Sequence, residues 1–122
     1  MSPQLRLQLH DAHGYAPGET IRGNVLVEEG GRSRSLRVEL RYTERTKDYS
    51  SVAATVTSGP LHEGDLTGAT SFEFELAVPE DALPSYSTEH GELYWELDAI
   101  SDELGLDTHE SQVVEVAVKP RT

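Results

Sequence analysis

The chain contains no cysteine in 122 residues. That excludes disulfide staples, thiolate nucleophiles and thiolate zinc sites together, so its stability must come from packing. Aromatics are sparse as well, with one Trp, two Phe and five Tyr. No apolar run is long enough to cross a bilayer as a helix, and Met1 to Gln8 lacks the basic-then-apolar layout of a secretory signal. A cytoplasmic protein is the expectation. Basic residues are few: 10 Lys and Arg stand against 22 Asp and Glu, for a formal net charge of -12. Such a field repels a phosphate backbone and an anionic membrane surface, so neither nucleic acid nor membrane insertion is expected. The cations present, mainly Arg22, Arg32, Arg34, Arg37, Arg41, Arg45 and Lys47, are interleaved with acids rather than gathered in a clean stripe.

What the chain does have is alternation. Apolar residues recur at every second position, which sends them to one face of a strand. Leu5, Leu7 and Leu9 mark a first strand, and Ile21, Val25 and Val27 a second, with Gly23 in phase where a neighbouring backbone can approach. Leu36, Val38, Leu40 and Tyr42 mark a third, and Val52, Ala54 and Val56 a weaker fourth. Phe72, Phe74, Leu76 and Val78 follow, then Leu93, Trp95, Leu97 and Ala99, and finally Val114, Val116 and Val118. Tyr94 and Ile100 lie on the other face of the Trp95 strand, so that strand is expected to be covered on both sides at one end.

Punctuation supports the same count. Pro17-Gly18 suits a type II turn, Gly30-Gly31 a hairpin between strands two and three, and Pro79 a strand end that opens an irregular loop to His90. One domain over residues 1–122 is expected at this length. Its predicted fold class is all-β, an immunoglobulin-like Greek-key sandwich of about seven strands. Phe72, Phe74, Leu76, Trp95, Leu97, Val38 and Leu40 are its expected core.

Three stretches together resemble the amino-terminal domain of the arrestin family, with its vacuolar-sorting and bacterial sporulation-control relatives. They are Tyr15-Ala16-Pro17-Gly18-Glu19-Thr20-Ile21-Arg22-Gly23-Asn24-Val25, then Phe72 to Pro79 with Leu83-Pro84-Ser85, and Leu93 to Ala99. The first is the most specific. The resemblance implies a sandwich used for docking and scaffolding, with no catalytic residues and no cofactor. Arrestins carry two such sandwiches and this chain has room for one. Their phosphate sensing depends on clustered basic residues, whereas the first strand here holds Arg6 alone, so that role is not implied.

Candidate chemistry is thin. His10, Asp11 and His13 are the metal-ligand types that lie closest together, with His62 and Glu63 as distant additions. A solvated turn is the preferred reading, and no metal is expected. Asp98, Asp102, Glu103 and Asp107 lack the glycine-centred spacing of a calcium loop and read as a solvated hairpin. Ser85, His90 and Glu92 share a region, yet nothing around the serine resembles a nucleophile elbow.

The expected function is therefore a non-catalytic protein-interaction module. The alternative is a small-ligand or carbohydrate binder that stacks on Tyr86, Tyr94 or Tyr49. The partner is expected to be a protein, or a second copy, added along a bare strand edge. Two strands look poorly defended: Leu5 to Leu9, with only Arg6, and Gln112 to Val118, with only Glu115 beside Val116.

Overall fold

A computed structural model describes residues 3–10, 15–82, 85–103 and 108–114, with the side chains of 53, 54, 86, 87, 108 and 111–114 left aside. Nine strands run in chain order: β1 (Gln4–Leu9), β2 (Thr20–Glu29), β3 (Ser35–Thr46), β4 (Ser50–Thr57), β5 (His62–Glu63), β6 (Thr70–Ala77), β7 (Tyr86–Thr88), β8 (Gly91–Asp102) and β9 (Thr108–Val114). No helix occurs among the described residues. The protein is all-β, with two antiparallel sheets packed face to face.

The smaller sheet has the order β1-β2-β6. The larger has β3 and β8 at its centre, with β4 and β5 along the outer side of β3, and β7 and β9 along the outer side of β8. Alternation does what periodicity dictates: β2 buries Ile21, Val25 and Val27, and β3 buries Leu36, Val38, Leu40 and Tyr42. Against them lie Phe74 and Leu76 of β6 and Trp95, Leu97 and Ala99 of β8, in one core drawn from both sheets. The Tyr42 and Trp95 rings stack at 4.6 Å. Fully burying each large apolar side chain is worth about 1.5–3 kcal/mol.

Two local features match their sequence signals. Glu19 N–H closes on Ala16 C=O at 3.0 Å around Pro17-Gly18, with Gly18 at φ 85° as a type II turn requires. At Gly23 a Cβ would sit 2.5 Å from the Gln8 carbonyl oxygen and 3.0 Å from the Phe74 ring, so β1 and Phe74 close over a position that only hydrogen can fill.

Other expectations need correction. Gly30-Gly31 does not turn a hairpin, because β2 and β3 belong to different sheets. The pair instead carries the crossover, and Gly31 exchanges both backbone hydrogen bonds with Leu66, at 3.0 and 2.9 Å. The loop after Pro79 contains β7, which pairs with Gly91–Leu93 of β8. Phe72 is only partly buried, packed by the His62 ring at 5.1 Å near the sandwich margin. Strand β9 starts at Thr108, earlier than Val114, while Val116 and Val118 lie outside the described residues. Burial of β8 on both faces is borne out, since Leu97, Asp98, Ala99, Ile100 and Ser101 are all buried. No helix among the described residues is long and apolar enough to cross a membrane.

Candidate functional site: an open edge beside a compensated charge ladder

On the outer face of the larger sheet, β3 presents Arg37, Arg41 and Arg45, spaced every fourth residue and therefore on one face. Strand β8 answers with acids at matching register, pairing Arg41 with Glu96 and Arg45 with Glu92. Arg37 Nη1 lies 2.5 Å from Asp102 Oδ2 and its Nε 3.0 Å from Glu39 Oε2. Arg41 grips Asp98 and stands 3.5 Å from Glu96, while Arg45 pairs with Glu92 and sets its guanidinium 5.9 Å from the Tyr94 ring centre. The Arg37 guanidinium, by hydrogen-bonding Asp102, holds that carboxyl below its ordinary value, with Ser35 Oγ adding a bond at 3.0 Å. The same bond raises Arg37.

Asp98 corrects the expectation of a solvated hairpin. Its side chain is 1% exposed, held by Arg41 and by His109 Nδ1 at 2.9 Å, because a buried carboxylate is tolerated only with paired charge and hydrogen bonds. The sequence signal for this pair is the run of basic residues at every fourth position in β3, which face acids in β8 once the two strands are aligned. Asp107 lies outside the described residues.

Beside this ladder runs β4. Its residues Ser50 to Ser58 include no acid, no base and no proline. Among the described residues, β4 pairs with β3 alone and stands at the edge of the larger sheet. The other edge strands longer than three residues each carry charge: Arg6 in β1, Glu73 and Glu75 in β6, Glu110 in β9. Among the described residues, the exposed large hydrophobic ones are Tyr49, at the turn into β4, and Val52 within it, at 54% and 53%.

The ladder shows which backbone groups are open. Ser58 N–H donates to Val38 C=O at 2.9 Å, and the register continues through Leu40↔Val56 and Tyr42↔Ala54. Backbone groups along an antiparallel strand alternate between facing the partner and facing away. Thr55 and Thr57 therefore present their N–H and C=O to the outside of the sheet. A bulge at Ala53, where the register slips between Tyr42 and Thr43, interrupts the strand there and limits the regular free edge to Ala54–Ser58.

The remaining candidates separate. His10 is at the surface with Nε2 on Asn24 Oδ1 at 2.8 Å, and Asp11 and His13 lie outside the described residues. His62 sits elsewhere, its Nε2 3.2 Å from the Asp65 carbonyl oxygen. No group of three metal-ligating side chains occurs among the described residues. His90 stands 3.3 Å from Glu89, and Glu92 is paired with Arg45. A cleft of about 370 Å³ opens between Arg45–Lys47 and Thr88–Glu92, at the tips of two neighbouring turns. Of the stacking candidates, Tyr94 is part-covered and lies beneath Arg45, Tyr49 is exposed with its hydroxyl donating to Glu44 at 3.2 Å, and the Tyr86 side chain is not described. Strand β1 is an edge of the smaller sheet and lies alongside β9, while Glu115 and Val116 fall outside the described residues. The chain matches no protein-family model and no curated protein.

Proposed function

We propose that this protein is a non-catalytic interaction module of arrestin-like type, an immunoglobulin-like Greek-key sandwich that docks a protein partner along an open sheet edge. The observation that supports the reading is β4: an edge strand without charge or proline, in a chain of net charge -12. Natural sheets blunt their edges with such residues, and an edge left bare is a template for an added strand. Outward amides and carbonyls at Thr55 and Thr57 supply affinity, and Val52 and Tyr49 add apolar area at the near end. A cytoplasmic location goes with this reading, since a cysteine-free chain loses nothing in a reducing compartment.

The experiment is selection of displayed random peptides on the purified protein, followed by titration of a selected peptide into wild type and into Thr55→Pro. Proline at 55 removes an outward N–H while leaving the β3 ladder its donors. Binding that perturbs Thr55–Thr57 amides and is lost in Thr55→Pro supports the reading. Peptides that bind only in the cleft at Thr88–Glu92, or none at all, contradict it.

A further inference from the structure

We infer that the strand added to β4 is β4 of a second copy, so that the larger sheets of two molecules join across a twofold axis. The inference rests on the open-edge reading above and adds to it the identity of the occupant. Centred on Val56, the segment reads Thr55-Val56-Thr57, the same in both directions. An antiparallel pairing about that centre sets Thr55 opposite Thr57 of the second copy, and Thr57 opposite Thr55. These are the residues whose backbone groups face outward, so each pair exchanges two N–H···O=C bonds. Val56 meets its own copy on the inner face, and the two Thr–Thr pairs stack on the outer face, both favourable cross-strand combinations.

The pairing is self-complementary, as a twofold interface must be. No charged side chain of β4 stands at the seam in this register. Arg41 lies beside Thr55 and Glu39 beside Thr57. Each row across the dimer therefore sets Arg41 of one copy and Glu39 of the other on the two sides of the Thr pair, about 14 Å apart at three strand spacings, and continues to their β8 neighbours Glu96 and Asp98, so no like charges meet at the seam. Away from this edge the two copies repel through a net charge of -12 each. The bulge at Ala53 stops the pairing after five residues, so the dimer is weak and reversible. Elsewhere the exposed acids, such as Glu73 and Glu75 on β6, would oppose their own kind in a self-pairing.

Sedimentation velocity on the full chain, across protein concentration and from low to high salt, tests the inference. Wild type should shift from monomer toward dimer as concentration rises. The shift should grow with salt, because screening shortens the reach of the repulsion to about 8 Å at physiological ionic strength. Thr55→Pro should stay monomeric with an unchanged circular dichroism spectrum. A charge-swap pair keeps the test independent of proline: Thr55→Lys/Thr57→Lys and Thr55→Glu/Thr57→Glu should each be monomeric alone and associate when mixed. A wild type that is monomeric under every condition overturns the dimer, as does a dimer that survives Thr55→Pro. The peptide titration separates the two readings: capture of a selected peptide at Thr55–Thr57 by a wild type that never dimerises leaves the open edge intact with a foreign occupant.

Discussion

Arg41 on β3 and Asp98 on β8 form an ion pair on the outer face of the larger sheet, with the Asp98 side chain 1% and the Arg41 side chain 24% exposed. Removing one partner of such a pair costs more than the pair contributes, because a charge is left buried. Arg41→Met should therefore lower stability by about 2–4 kcal/mol, reduced from the fully buried case by partial solvent access. Arg41→Met/Asp98→Leu should recover most of that loss. Urea denaturation of the three proteins checks it, and a double variant no more stable than Arg41→Met would contradict the account.

Core packing sets the second expectation. Phe74 is 3% exposed between the sheets, and Phe74→Ala should cost about 3–5 kcal/mol. Gly23→Ala pushes a methyl onto the Gln8 carbonyl and the Phe74 ring, and should cost about 1–3 kcal/mol by overpacking. Thermal melts read both, and an unchanged midpoint for either would remove that residue from the β1-β2-β6 packing.

Acid stability should report Asp102. Its carboxyl is held below the ordinary value by the Arg37 hydrogen bond. A depressed group contributes stability that is fully present above its unfolded pKa and is lost as pH falls through its folded pKa. Arg37→Met should thus flatten the acid limb of the stability curve below the ordinary Asp range, with little change in slope near neutrality. An acid limb identical to that of wild type would rule the contact out as its source.

His10 is committed to Asn24 at 2.8 Å, and His62 sits on the Asp65 carbonyl and the Phe72 ring. Dialysis against a chelator should leave the melting temperature unchanged, and purified tag-free protein should carry no stoichiometric zinc or nickel. Metal at one equivalent, lost on His10→Ala/His13→Ala, would contradict this.

The strands that could be read from sequence were those whose two faces differ. Strands β2, β3 and β6 alternate because one side meets the core and the other meets water, and Phe74, Leu40 and Val25 follow from that alone. Strand β4 alternates poorly because the bulge at Ala53 puts Val52 out of phase, on the outer face opposite Thr43, where it is exposed. A glycine pair such as Gly30-Gly31 signals a turn but not which sheet the next strand joins, so sequence alone suggests a hairpin where the structure has a crossover. Asp98 looks solvated in sequence because a lone acid does not show the arginine that a cross-strand register brings to it. The open edge is hidden in the sequence for the same reason. Absence of charge in Ser50–Ser58 is visible in sequence, but which strand lies at an edge is a property of sheet order.

The claim on which the rest depends is that β4 is an open edge, and amide hydrogen exchange at low protein concentration reads it residue by residue. Val56 points its N–H into the ladder with Leu40, whereas Thr55 and Thr57 point theirs outward. The account expects slow exchange at Val56 and Ser58 and fast exchange at Thr55 and Thr57, with the latter two slowing as concentration or salt is raised. Slow exchange at Thr55 and Thr57 in the dilute monomer would mean that the edge is already covered, and would contradict both the proposed docking and the dimer.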